Sequence, residues 1–214
     1  MNQAGHQPDH PLERMVFFSD AVFAIAITLL IIEVHPPHLP YGSPWQDYVD
    51  ALVQLLPNFI GFFVSFFVIG AFWAGHHRAF ALARGWSDRL VGPNLLLLFA
   101  VAALPFFTAF LSGNMSARLP GLLYCGWLAL AGLSAIWLQH VVTAPPVVDP
   151  AVGPVAVRML RRRGWAVVIG AAVAAALVLV LPIPSLGLFG LLTINLWRHL
   201  LMRGQRVGTG SAPP

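Results

Sequence analysis

Between Arg14 and Val34 the chain reads RMVFFSDAVFAIAITLLIIEV, an apolar run that carries a serine–aspartate pair near its start. A bilayer crossing takes about 20 predominantly apolar residues, and this run supplies them. An ionisable side chain inside such a span is costly, so it faces a bundle interior or a water-filled path, where it has a partner or a function. Asp20 is therefore restricted to a buried pairing or a polar path, and this helix separates a channel from a plain membrane anchor.

The remaining sequence suits the same solvent. Of the 214 residues, 58% are hydrophobic and 9% charged, whereas about a quarter of a soluble domain is charged. The chain is thus expected to be an all-α, polytopic membrane protein. Six segments meet the length and apolarity of a span, at 15–34, 51–75, 90–111, 120–141, 164–182 and 184–202. The last two are divided by the Pro-Ile-Pro-Ser turn at Pro182 to Ser185; undivided, they would form a segment of about 38 residues, too long for one crossing. The polar stretch before Met15 has no basic region of the secretory type, so the first span is expected to stay in place. The expected organisation is a cytoplasmic segment over 1–13, a six-helix transmembrane domain over 14–203 and a disordered cytoplasmic tail over 204–214. Cys125 is the lone cysteine and lies in a span, which excludes an intramolecular disulfide.

All 12 basic side chains are arginine. With six crossings, Arg118 alone falls on one side of the membrane and the other eleven on the opposite side, so both termini are expected in the cytoplasm. This asymmetry accounts for the basic pI without nucleic acid, which is not an expected partner; membrane lipids are. The first outside loop, His35 to Asp50, is proline-rich and carries Asp47 and Asp50. Val207-Gly208-Thr209-Gly210 looks like a scrambled potassium filter, but it lies past the last span, and a carbonyl filter has to be held at membrane depth.

On the first helix, Ile25, Leu29 and Ile32 form one stripe, and Asp20, five residues before Ile25, points roughly 140° away from it. The stripe either faces lipid or meets its copies at a symmetry axis, where a hydrophobic constriction gates a pore by dewetting. Thr28 sits beside it and offers a hydroxyl to a pore wall or a neighbouring helix. Glu33, near the outer end, is either an acid in interfacial water or part of an acidic ring at an outer mouth. On the second span Trp73 and His76 share a face at the level of Asp20, which suggests a His76–Asp20 hydrogen bond. Asn94, opening the third span, is available to the same network. Pro105 should kink that span and release carbonyls that need partners. Gly126, Gly132, Gly170, Ala171 and Ala172 suit close helix packing, and Arg161-Arg162-Arg163 suits anionic lipid at the inner leaflet. His76 and His77 alone are too few for a metal site, and the sequence has no nucleophile–base–acid set or phosphate loop, so neither an enzyme nor a cofactor is expected. A proton-coupled transporter using Asp20 and His76 is the alternative.

Arg14-Met-Val-Phe-Phe18-Ser19-Asp20-Ala-Val-Phe-Ala24 resembles the first-helix signature of the transmembrane protein 175 family of cation channels. Trp73-Ala-Gly-His76-His77-Arg78-Ala-Phe80 resembles its second-helix pattern, and Asn94 with Pro105-Phe-Phe-Thr108 its third; the likeness covers residues 14–110. The resemblance implies a potassium-permeable channel without the usual filter and a homotetramer in the plasma membrane whose first helices line the pore. It implies Ile25 as the narrowest ring, followed by Leu29 and Ile32, with Thr28 contributing to selectivity. Arg14, Phe18, Ser19, Asp20, Trp73, His76, His77 and Asn94 would then form the packing network that holds these helices. The single repeat looks like the prokaryotic form, and potassium, with other monovalent cations, is the implied permeant ion.

Overall fold

The computed structural model describes residues 10–194, 196, 197 and 200, and all its named elements are helices. Helix α1 spans His10–Ile32, α2 Trp45–Gln54, α3 Leu56–Phe80, α4 Val91–Ala102, α5 Leu104–Ser112, α6 Arg118–Val142, α7 Pro154–Val180 and α8 Pro184–Gly187. Among the described residues, five helical segments are long and apolar enough to cross a membrane: Pro11–Ile32, Leu56–Phe80, Asp88–Ser112, Arg118–Val142 and Pro154–Val180. The sixth expected segment begins as anticipated after the turn at Pro182, with α8 and a 3-10 turn at Leu188–Leu192. Much of the rest of it, including Arg198, Arg203, Arg206 and the Val207–Gly210 stretch, lies outside the described residues.

The second span starts five residues later than the hydropathy pattern suggests. Pro57 occupies the first turn of α3, where a missing N–H costs nothing. The preceding stretch forms the separate helix α2, because Gln46, Asp47 and Asp50 hold its other face in water, with Gln46 donating to Asp50 at 3.0 Å. At its other end α3 runs past the polar His76-His77-Arg78, since Ala79 and Phe80 are buried in the bundle.

The third span breaks where Pro105 predicts. Helix α4 ends at Ala102, α5 starts at Leu104, and Trp127 Nε1 on α6 donates to the Ala100 carbonyl at 2.7 Å beside the break. A backbone group at membrane depth thus gains a side-chain partner.

Helix α7 begins at Pro154, ten residues ahead of the expected 164, so the arginine cluster rides on helix rather than loop. Arginine is a good helix former, and proline is tolerated in the first turn. Within the cluster, Arg161 turns inward. Its Nε donates to Thr143 Oγ1 at 2.8 Å and its Nη2 to the Thr143 carbonyl at 3.5 Å, tying the start of α7 to the end of α6.

Helix α1 packs on α3, α4 and α5, while α6 lies along α4, α5 and α7. The α6–α7 contact is close because Gly132 leaves room: a Cβ there would stand 2.8 Å from Val168 Cγ2. Gly170 instead makes room for Ile194 beyond the 3-10 turn, and Ala171 is buried, whereas Gly126 faces open space and Ala172 is exposed, so those last two do not serve close packing.

Candidate functional site

Two features of α1 define the site, a buried polar anchor and an uncovered aliphatic face. Ser19, Phe23, Ala26 and Leu30 follow the i, i+4, i+7 spacing of a helix stripe and are buried against the rest of the chain. Ile25, Leu29 and Ile32 lie around the helix from them and are 58%, 39% and 64% exposed. Among the described residues, none covers this face. Thr28 is exposed beside Ile25, its hydroxyl donating to the Ile25 carbonyl at 2.8 Å. That bond stays within the helix and leaves the oxygen lone pairs facing outward. Glu33 is half-buried at the helix end, where its carbonyl lies 3.0 Å from His35 Nδ1.

The anchor is a chain of hydrogen bonds joining α1, α3 and α4. Ser19 Oγ donates to the Met15 carbonyl at 2.8 Å, Asn94 Nδ2 donates to Ser19 Oγ at 3.0 Å, and His76 Nε2 lies 2.9 Å from Asn94 Oδ1. Asn94 Oδ1 can only accept, so His76 carries its hydrogen on Nε2. The other ring nitrogen, Nδ1, is buried without a partner among the described residues. The ring is clamped by Phe23 at 5.5 Å and Phe80 at 4.6 Å between centroids. Ser19, Asn94 and His76 are 0%, 1% and 3% exposed, so each bond replaces water that cannot reach the group.

This pairing corrects the expected His76–Asp20 bond. Asp20 is one residue beyond Ser19, roughly 100° further around the helix, at the edge of the anchor. It accepts instead from Trp73 Nε1 at 2.9 Å. The residues expected to form one network therefore divide. Ser19, Asn94 and His76 are buried, and Asp20 with Trp73 forms a second, half-exposed bond between α1 and α3. His77 is exposed and stacks on Trp73 with centroids 5.9 Å apart. Arg14 and Phe18 are exposed and stand outside the buried anchor; they border a hollow of about 520 Å³ with Met15, Trp86 and Leu95.

Deeper in the bundle is a polar cluster that the sequence reading missed. Ser65 Oγ lies 2.7 Å from Thr108 Oγ1 and 3.0 Å from the Tyr124 hydroxyl, all buried, joining α3, α5 and α6. The available signal was a hydroxyl within each of three apolar spans, since such groups need partners at membrane depth. Among the described residues, no group of three or more His, Cys, Asp or Glu side chains could hold a metal ion.

A family model described as "Endosomal/lysosomal potassium channel TMEM175" matches residues 14–105, which contain most of α1, the anchor and the Pro105 break. A protein named potassium channel from Streptomyces collinus is 35% identical over 172 residues, covering 76% of this chain and 76% of that protein. The mouse protein named endosomal/lysosomal proton channel TMEM175 is 34% identical over 113 residues, half of this chain but 22% of its own length. Among solved structures, the crystal structure of a lysosomal potassium-selective channel TMEM175 homologue from Chamaesiphon minutus superposes with a TM-score of 0.73. It is 26% identical, with 90% of this chain and 99% of that chain covered.

Proposed function

The chain belongs to the TMEM175 family of ion channels, which are not enzymes, and from that premise we propose that it is one subunit of a homotetrameric, potassium-permeable channel. The observation that carries this reading is the uncovered aliphatic face of α1. An apolar stripe that the chain itself leaves bare, on the helix the family match begins with, suits assembly of four copies around an axis. Ile25 then forms the narrowest ring, with Leu29 and Ile32 beyond it. Conduction is passive, and the neck controls it through its width and its wetting rather than through a carbonyl filter. Thr28 lone pairs border the path beside Ile25, and Glu33 supplies an acidic ring that raises the local cation concentration at the outer mouth. The buried anchor fixes the rotation of α1, so the stripe rather than its opposite face meets the axis. With both termini in the cytoplasm of a six-span subunit, the protein resides in the plasma membrane, and potassium passes with other monovalent cations.

Mammalian relatives carry the name proton channel, which makes proton flux the natural comparison. A proton-coupled transporter relaying through Asp20 and His76 is the less favoured reading, because these side chains bond to Trp73 and Asn94 rather than to each other.

Accessibility to a small, cationic, thiol-reactive reagent tests the pore assignment. The native Cys125 is buried, so current through the wild type should be insensitive. Current through Ile25→Cys should be blocked, and more slowly when potassium occupies the path. An Ile25→Cys channel that conducts and is unaffected by the reagent would place this face against lipid.

A further inference from the structure

A second cavity lies away from α1. The cleft between α3, α6, α7 and the Leu188–Leu192 turn encloses about 670 Å³, within the ~300–1,000 Å³ of pockets that hold drug-sized ligands. Along α3 its wall runs from Val64 to Ala79, about 22 Å at the helical rise, against roughly 15 Å of hydrocarbon in one leaflet. The deep end is apolar, formed by Val64, Phe67 and Leu191, with Phe67 largely exposed. The other end is polar and basic, lined by Arg78, Arg163 and Gln139. No carboxylate is among the described residues that line the cleft. Gln139 is 6% exposed, and its Oε1 is buried with no hydrogen-bond partner among the described residues. A buried amide oxygen without a donor is unusual enough to call for a missing partner.

We propose that this cleft binds one anionic phospholipid from the arginine-rich side of the membrane. One acyl chain lies along Val64 and Phe67, the phosphate sits between Arg78 and Arg163, and a headgroup hydroxyl donates to Gln139 Oε1. The two ends of the cleft select this ligand together. Free phosphate leaves the apolar walls uncovered, while a neutral lipid forgoes the added attraction of two guanidinium groups at the basic end. Basic pockets between membrane helices are a recurrent means of holding anionic headgroups. The arginines need not give up contacts within the chain, because a guanidinium has five N–H donors.

The test uses the full chain, delipidated in neutral detergent and titrated with phosphatidylglycerol or phosphatidylcholine of matched acyl chains, with bound lipid counted by native mass spectrometry. Phosphatidylglycerol should bind at least tenfold more tightly, and equimolar inorganic phosphate should not displace it. The Arg78→Gln/Arg163→Gln double variant should lose the preference between lipids. If that variant fails to fold, Ala71→Phe, at an exposed wall position, should occlude the cleft and abolish retention of both lipids with the oligomer intact. Equal retention of the two lipids by the wild type would overturn the proposal, as would a preference that survives Ala71→Phe. So would an oligomer that dissociates on Ala71→Phe while keeping its lipid, since the cleft would then seat a second copy of the chain. Lipid is read by mass and not by current, so this proposal and the channel assignment fail independently.

Discussion

Asn94→Leu should lower the thermal stability of the purified protein more than any other single substitution in the α1 anchor. Asn94 is the one side chain that joins the other two members, accepting from His76 and donating to Ser19. Leucine removes both functions at a site that is 1% exposed. The His76 Nε2 hydrogen then loses its acceptor beside Phe23 and Phe80, and Ser19 loses a donor. An orphaned buried polar group costs about 1–3 kcal/mol, while interhelical hydrogen bonds in membranes average nearer 0.6 kcal/mol. One orphaned donor and one lost interhelical bond together cost about 2–4 kcal/mol, or roughly 10 °C in the melting midpoint of a chain this long. Asp20→Asn should cost much less, because asparagine keeps an oxygen for Trp73 Nε1 and the site is half-exposed. The check is the unfolding midpoint of both variants in one detergent, followed by tryptophan fluorescence. An Asn94→Leu midpoint within about 2 °C of the wild type would mean that the anchor does not hold α1.

Ile25→Ala should raise the permeability to large monovalent cations. In the proposed tetramer the substitution removes three carbons from each of four facing side chains, and buried methylene groups are worth ~0.8 kcal/mol each in transfer free energy. A water column crossing an apolar ring meets the same surface, so alanine both widens the neck and lowers the cost of wetting it. If only ~1.4 kcal/mol of the barrier disappears, flux rises about tenfold. The increase should be greatest for cations that the wild type passes poorly. Unchanged relative permeabilities, measured as reversal-potential shifts between potassium and an organic cation, would move the constriction away from Ile25.

How far the sequence revealed this arrangement depended on whether a signal was local. The crossing segments were readable because about 20 apolar residues in a row have few other solutions, and Pro105 announced its own break. Boundaries were read less well where burial and hydropathy disagree. Ala79 and Phe80 extend α3 beyond a basic tripeptide because they meet the bundle, and Arg161 sits on helix because Thr143 supplies its acceptor. In the anchor, Ser19, His76 and Asn94 were recognisable as polar groups in apolar spans, but their pairing was not. Asp20 and His76 share a membrane level, and a charge beside an imidazole is the obvious pair. Which of two adjacent residues, Ser19 or Asp20, faces the bundle is settled by one 100° step of helix rotation, and only the packed structure fixes that. The Ser65–Thr108–Tyr124 cluster depends on three such rotations at once, which is why a pattern read span by span did not reveal it. Pore lining is a property of the assembly, and no periodicity within one subunit separates a bare stripe facing an axis from one facing lipid.

The most direct test of the central claim is ion flux through the wild-type protein reconstituted in sealed liposomes, with potassium inside and sodium or a large organic cation outside. The channel reading predicts potassium efflux down its gradient that saturates weakly, persists when the proton gradient is collapsed, and falls as the counter-moving cation grows larger. Vesicles that contain intact oligomers yet pass no potassium would contradict it, and so would flux that stops once the proton gradient is removed.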